Sequence, residues 1–522
     1  MADRLLGVET EYAISGMQGL EASDHRTIIR HLLDLAHTTL RNLQDGSSSG
    51  LFMENAARLY LDSGMHVEYS TPECANPWDA VRYVEAGNRI LLNLIQKMTH
   101  ERTPDVQTGC YRVNVDYSGT GATWGCHESY QHRVPPAELP PNLIPHLVTR
   151  MIYAGAGGFD PFSSSLRFTL SPRAAHIEHT ISSDSTSDRG IYHSKNEPLC
   201  SGYNRLHILC GESLCSQFSM FVKFGATCLV VAMAEAGLAP GSTVQLDSPL
   251  TALRTVASDL TLTSPLKVRN PSRRMTAIEI QRHYLAMAEA HCRDAFMPPW
   301  APRFCEHWRH ALDLLDRGPG AAAKTFDWQM KLALFTSHAA QRGLDWSRVA
   351  FWNAVVERMR QEMGLAANGE PFPLDLATST ETPIPFLIHR IEALLHRKGF
   401  EWNELRQILE LRNEFFEIDT RFGQLGPYGI FSMLDANQVL DHRVSGIDNI
   451  EYAMRNPPSK GRAKVRGAVV KRLAGDLEGD WYCSWEQILS MRHGRTLDLS
   501  DPFTEAEDWH DVAALAGEGH PF

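Results

Sequence analysis

The sequence predicts an α+β fold built on an antiparallel-rich sheet with packed helices. Three observations carry that expectation: a two-residue alternation in the early segments, helical stretches lying between them, and an almost entirely helical pattern from Met275 to about Asp419. The alternating segments are Leu5 to Ile14, Ala57 to Leu61, His66 to Ser70, Gln107 to Asp116 and Arg205 to Cys210. Helices are expected over Ile28 to Arg41, Asp79 to Lys97 and Lys223 to Ala236. The helical run comprises Ala277 to Arg293, Arg303 to Arg317, Trp346 to Glu362, Pro385 to His396 and Glu401 to Phe416, divided by Pro371, Pro373 and the Thr/Ser-rich Ala377 to Thr382. Trp352, Val355, Val356 and Met359 recur at helical spacing, which points to core rather than to a partner surface. A last small unit begins near Asp435 and contains the Asn456-Pro457-Pro458-Ser459 turn.

Composition narrows the function classes. With 522 residues, 43% apolar and 21% charged, the chain suits a globular protein with a large core, arranged as one big domain plus something smaller. Fifty Lys+Arg against 62 Asp+Glu give a net charge of −12, so no positive field gathers phosphate backbones and nucleic acid is not an expected partner. The apolar stretch from Ala226 to Pro240 carries Glu235 and falls short of the ~20 residues of a bilayer span. No membrane span is expected. Met1-Ala2-Asp3-Arg4 runs directly into a strand-like Leu5-Leu6-Gly7-Val8, so a cytoplasmic location is expected.

Several metal and nucleotide motifs are excluded. The ten cysteines contain no C-x-x-C and read as reduced, mostly buried apolar groups. His127-Glu128 followed by His132 fails as a zinc-protease helix, because a spacing of five turns the second His off the first one's face. Neither a phosphate-binding P-loop nor a G-x-G-x-x-G is present, so any nucleotide is bound by another fold.

The strand faces carry the chemistry. In Gly7 to Ile14, Glu9 and Glu11 share one face at ~7 Å. Alone, that fragment also fits a solvated outer face. On the next strand Arg58, Tyr60 and Asp62 share a face, and His66, Glu68 and Ser70 share one on the strand expected after a Ser63-Gly64 turn. Hard oxygen ligands from Glu9, Glu11, Tyr60 and Glu68 on neighbouring strands suit Mg²⁺ and a nucleotide's phosphates. Arg58 is then placed to meet a phosphate and Asp62 to accept a proton. Arg205 and His207 alternate onto one face, which suits phosphate or metal contact.

These residues sit in motifs that resemble the Pup ligase family and its Pup deamidase/depupylase relatives, carboxylate–amine ligases similar to glutamine synthetase. The motifs are Gly7-Val8-Glu9-Thr10-Glu11-Tyr12; Asn55 to Asp62 followed by Glu68 to Cys74; Gly125 to Tyr130; Asn196-Glu197-Pro198; Arg205-Leu206-His207; Arg462 to Gly467; and Asp501-Pro502-Phe503. The resemblance implies a glutamine synthetase-like catalytic domain over 1–430 with an extra helical insertion at about 345–400, a small C-terminal domain over 431–503 and an acidic tail over 504–522. It implies Glu9, Tyr60 and Glu68 as magnesium ligands, with Glu11 and His207 beside them. It also implies Arg58, Thr71 and Trp485 at ATP, Arg205 at the transferred phosphate and Asp62 as base.

The activity so implied is ATP-dependent. The γ-carboxylate of a small modifier's C-terminal Glu becomes an acyl phosphate, which a target lysine attacks to leave an isopeptide bond. The expected partners are a Pup-like modifier, lysine-bearing target proteins and the proteasome pathway. Only 46 residues separate Glu11 from Arg58, which resembles the ligase branch, since the deamidase branch typically carries a long insertion there. Deamidation or removal of the same modifier is the alternative reading, and a small-molecule carboxylate–amine ligase is another. The family's segment after Glu-Pro usually continues with His and small or acidic residues, where this chain has Leu199-Cys200-Ser201-Gly202.

Overall fold

One sheet of 12 strands organises the molecule. The computed structural model describes residues 4–15, 22–46, 50–102, 109–269, 271–365, 369–370, 372–373, 385–476 and 480–511. The sheet strands are β1 (Leu6–Ser15), β2 (Asn42–Asp45), β3 (Gly50–Met53), β4 (Arg58–Leu61), β5 (Val67–Ser70), β6 (Gly109–Tyr111), β7 (Cys126–His132), β8 (Asn204–Ile208), β9 (Trp481–Cys483), β10 (Gln487–Ser490), β11 (Arg495–Asp498) and β12 (Trp509–Asp511). Their order is β8-β7-β1-β5-β4-β3-β2-β9-β10-β11-β12, with β6 on the far end of β1. Every pairing in it is antiparallel except β9 on β2. The C-terminal strands therefore prolong the main sheet, and Leu43 and Phe52 of β2 and β3 share an apolar cluster with Val465, Val469, Ile488 and Leu497.

The alternation in β1 sends Leu6 and Val8 into the main core and Tyr12 and Ile14 into a second core with Leu59, Val67 and Tyr69. Helices cover that apolar face: α1 (Ala22–Thr39), α2 (Pro77–Arg102), α3 (Pro140–Thr149) and α4 (Gln217–Glu235). Asn76 caps α2 by accepting the Asp79 N–H at 2.9 Å, and Ser216 caps α4 by accepting the Ser219 N–H at 3.1 Å. The α4 helix is long and apolar enough to span a bilayer by length and composition, but it is wholly buried. An all-round apolar helix inside a large protein is a core helix. Its Phe221, Phe224 and Leu229 each contribute about 1.5–3 kcal/mol by burial. Gly225 lets the Phe304 ring lie against the helix, a contact any side chain would block.

The helical half comprises α5 (Ala277–His291), α6 (Ala301–Asp316), α7 (Asp327–Gln341), α8 (Trp346–Met363), α9 (Pro385–Lys398) and α10 (Trp402–Phe422), followed by α11 (Gly461–Leu473). Trp352, Val355, Val356 and Met359 of α8 are buried as their spacing suggests. The Gln107 to Asp116 segment is a strand only at Gly109–Tyr111, with residues 107 and 108 outside the described residues. Beyond it the chain turns away, since Arg112 donates to the Leu214 carbonyl and Asn114 exchanges two hydrogen bonds with the Ser213 backbone. Residues 512–522 of the acidic tail also lie outside the described residues.

Candidate active site

Register assembles the site. Antiparallel pairing sets Glu11 opposite Glu68, and Glu68 opposite Tyr60; in the neighbouring row Glu9 faces both Ser70 and His127, and Ser70 faces Arg58. Directly opposed residues share a face with Cβ atoms about 4.5–5.5 Å apart. One more strand out, His207 pairs with Ser129 and Arg205 with Gln131. Tyr60, Glu68, Glu11, Glu9, His127, His207 and Arg205 thus form one polar floor. The apolar alternates beneath them anchor it in the cores.

Three sets of donors at this floor are close enough to grip a cation, one of them Glu11, Asp62 and His66. The ligand atoms of Glu9, His127 and His207 lie within 4.8 Å of one another, as do those of Glu11, Glu68 and His127. Glu9 accepts from Arg205 Nη2 at 2.7 Å and lies 3.2 Å from His207 Nε2. His127 stands 3.6 Å from Glu9, 3.5 Å from Glu11 and 3.8 Å from Glu68. The Gly125 N–H donates to Glu11 at 2.7 Å.

The electrostatics of this floor are uneven. Burial raises the Glu9 carboxyl, but the Arg205 guanidinium and hydrogen bonds from the His127 and His207 rings more than offset it and hold it well below the usual carboxylate range. Burial likewise opposes ionisation of Glu11, while His66, His127 and Arg173 bring it down to about 2. Glu68 goes the other way: burial, then the charges of Glu9 and Glu11, push it well above the usual range. Its Oε1 is buried without a hydrogen-bond partner. Burial lowers His207 to about 4, so its imidazole is neutral at pH 7. Burial and Glu68 keep the Tyr60 phenol protonated. A carboxylate trio with one unsatisfied oxygen, flanked by a neutral imidazole, fits a divalent cation with oxygen-rich ligation.

A cleft of about 640 Å³, counted to its open mouth, begins at the Glu9 end of this floor. Thr71, Arg205, Leu199, Arg462 and Trp485 line it together with Glu9. Thr71 is fixed there because its hydroxyl accepts the Val8 N–H at 3.0 Å. Trp485 packs edge-on against Phe52 at 5.0 Å, with the Arg466 guanidinium 4.8 Å over its ring. Arg466 and Arg462 both bond Glu73, which ties the C-terminal unit to the end of β5. Arg58 is on the floor but not in the cleft lining: it donates to Asp45 at 2.5 and 3.0 Å and lies 4.0 Å over the Tyr60 ring.

Asp62 lies at the opposite end, beside Glu11. The turn after it differs from the expected Ser63-Gly64 pair: it spans Ser63, Gly64 and Met65, with Met65 rather than a glycine at positive φ (66°). Asp62 Oδ1 accepts the His66 N–H at 2.6 Å, and its Oδ2 lies 3.5 Å from His66 Nδ1. Burial disfavours the His66 cation, yet Asp62 and Glu11 raise it to about 9. Catalytic, metal and phosphate candidates from the sequence therefore share one face, with Thr71 and Trp485 on the wall above it.

Sequence reasoning missed His127 as a member. It lies inside the Gly125 to Tyr130 motif, but β7 gives no plain strand signal because its inward positions include Glu128 and His132 as well as Cys126 and Tyr130. Alternation along Cys126–His132 is the signal that finds it. The sequence puts His66 on the right face but gives it no role.

Comparison with known proteins bears on this arrangement. The family described as Pup-ligase protein matches residues 4–365 and 388–489. The Pup--protein ligase of Nocardia farcinica is 32% identical over 519 residues, covering 97% of this chain and 98% of that protein. The Pup--protein ligase of Xylanimonas cellulosilytica is 31% identical over 529 residues, with the same two coverages. Among solved structures, the ligase PafA in complex with the prokaryotic ubiquitin-like protein Pup aligns with a TM-score of 0.68 at 23% identity, covering 97% of this chain and 91% of that one. PafA in complex with ADP aligns at 0.64 with 22% identity, covering 97% and 95%. At those identities the structures establish the fold alone. By the match along most of its length and by its curated relatives, the chain belongs to the Pup-ligase protein family.

Proposed function

We propose that this chain is an ATP-dependent carboxylate–amine ligase. It joins the γ-carboxylate of the C-terminal Glu of a Pup-like modifier to lysines of target proteins in the cytoplasm, feeding the proteasome pathway. The observation that carries the reading is the juxtaposition on one sheet face of a cation cradle (Glu9, Glu11, Glu68, His127, His207), a cleft walled by Thr71 and Trp485, and Asp62 at the far end. Relatives named Pup--protein ligase and a PafA structure solved with ADP support it. Residues 1–430 supply the floor, and 431–503 close the cleft through Arg462, Trp485 and Pro502.

Glu9, Tyr60 and Glu68, with Glu11 and His207 beside them, would hold Mg²⁺. When bound, Mg²⁺ offsets the negative charge of the phosphates. Trp485, Thr71 and Arg58 orient the nucleotide. Arg205, anchored on Glu9, faces the transferring phosphoryl group and stabilises the charge it spreads over its oxygens. The modifier's carboxylate attacks that group to give an acyl phosphate and ADP. A lysine with a pKa near ~10.4 is almost wholly protonated at neutral pH, so its attack needs a base. Asp62 takes that proton as the amine forms the isopeptide bond and the acyl C–O bond breaks to release inorganic phosphate. His66 holds the Asp62 carboxylate through its backbone N–H.

Incubating the protein with ATP, Mg²⁺, a Pup-like modifier ending in Glu and a lysine-bearing target should add one modifier mass to the target on a denaturing gel. Asp62→Asn should slow that conjugation by about 10²–10⁴-fold while leaving ATP binding intact. Release of ammonia or free target without ATP turnover would contradict the ligase reading.

A further inference from the structure

Away from the floor, one small hairpin carries charge opposite to that of the chain. Its strands, Leu266–Val268 and Arg273–Met275, pair antiparallel with Lys267 directly opposite Arg274. Leu266 and Val268 are buried in the main core, so the alternate residues Lys267 and Arg269 stand on the outward face. The backbone there is pinned, because the Asp247 N–H donates to the Lys267 carbonyl at 2.9 Å and the Arg269 N–H to the Gln245 carbonyl at 2.8 Å. Lys267, Arg269, Arg273 and Arg274 are all exposed. Arg269 is answered by Asp247, whose carbonyl accepts from its Nη2 at 2.7 Å and whose Oδ1 lies 3.6 Å from its Nε. Lys267, Arg273 and Arg274 have no ion-pair or side-chain hydrogen-bond partner among the described residues.

Like charges directly opposite each other on paired strands destabilise the pairing unless an anion joins them. They border a concavity of about 870 Å³, counted to its open mouth, which Lys267, Arg269, Arg273 and Arg274 line with a single acid, Asp247. With 62 Asp+Glu against 50 Lys+Arg, the rest of the chain repels an acidic partner, and this concavity attracts it. That partner is a polypeptide rather than a nucleic acid: four cations fall short of the roughly 6–10 phosphate contacts that hold a duplex, and the lining has no aromatic ring on which a base could stack. Position narrows the partner further. The hairpin packs on the helix Pro249–Ser258, which also packs on the turn Pro172–His176 and on the strand His179–Ser182. Arg173 of that turn lies beside Gly125 and the His127 ring of the floor. A helix of 10 residues is about 15 Å long, so the patch stands one short helix away from the reacting groups' wall.

Resting on the ligase reading, we infer that the hairpin docks acidic target proteins, holding the target while one of its lysines reaches Asp62. The nucleotide and the modifier's reacting carboxylate use the floor and its cleft, so this patch serves the third reactant. Exposed charges of this kind act chiefly on encounter and are screened by salt. The enzyme then favours lysines that share a target with an acidic surface over equally exposed lysines on neutral or basic proteins.

The test uses two targets, one lysine-bearing domain extended by a tail of about six Glu or of about six Gln. At low salt the wild type should conjugate the Glu-tailed target about tenfold more efficiently in kcat/KM, mostly through KM, and the preference should fall below about twofold at about 0.5 M salt. The triple variant Lys267→Gln, Arg273→Gln, Arg274→Gln changes only exposed side chains and should fold. It should use both targets about equally, with its KM for the modifier and its affinity for ADP within about twofold of wild type. Equal use of both targets by the wild type at low salt, or an undiminished preference in the triple variant, overturns the assignment. Wild type that binds ADP yet conjugates neither target overturns the ligase reading. The hairpin is then read directly by fluorescence anisotropy of a labelled Glu-Gly repeat peptide: tighter binding to wild type than to the triple variant upholds the acidic docking surface, and equal binding overturns it.

Discussion

Glu128 and Glu68 are both buried carboxylates, 1% and 4% exposed, on strands flanking β1, and their surroundings are opposite. Glu128 points away from the floor and is fully answered: Arg150 donates to its two oxygens at 2.7 and 2.8 Å, Tyr130 donates at 2.6 Å, and Lys223 lies at 3.4 Å. Burial raises its carboxyl, but Arg150 and Lys223 bring it below the ordinary range. Glu68 faces two other carboxylates, keeps one oxygen without a partner and is pushed upward. A charge the fold needs is closed by the fold itself. A charge kept for a ligand is left open, and the molecule is destabilised locally until something binds.

The largest effect that would break this contrast is at Glu128. Glu128→Ala strands Arg150 and Lys223 in the core and should cost about 3–5 kcal/mol in urea unfolding, enough to leave little folded protein. An undiminished urea midpoint would show that the pair is not structural. The acid limb comes next. Burial opposes ionisation of Glu73, but Arg466 and Arg462 lower it to about 2 from the usual ~4.5. A folded pKa below the unfolded one gives stability that is complete above about pH 5 and is lost as the pH falls toward 2, up to about 3 kcal/mol. Glu73→Gln should flatten that limb between pH 5 and 2, read by fluorescence-monitored unfolding. The smallest stability effect is at Glu68. Glu68→Gln removes a like charge and should leave the urea midpoint within about 1 kcal/mol of wild type or above it, where a structural carboxylate would lose several.

Much of this was legible because β-strand periodicity is strict. Once Glu9 and Glu11 take one face, register forces Glu68 and Tyr60 to join them, and Arg205 and His207 follow by the same rule. Helix positions followed from apolar spacing, although α4 starts at Gln217 rather than Lys223 because Ser216 caps a turn that carries little periodicity of its own. What escaped had a physical cause. β7 hides because Glu128 and His132 occupy inward positions, Glu128 answered by the distant Arg150 and Lys223 and His132 held neutral by burial. α3 hides because Pro140, Pro141 and Pro145 mask a helix whose residues Leu143 to Thr149 are all buried.

The central claim is that the open carboxylate face exists to hold a metal–nucleotide pair, and calorimetric titration of ATP tests it most directly. Wild type should bind ATP at least tenfold more tightly with Mg²⁺ than in a chelator, and Glu68→Gln should lose most of that increment while remaining folded. Equal affinity with and without Mg²⁺, or an unchanged increment in Glu68→Gln, would contradict the account.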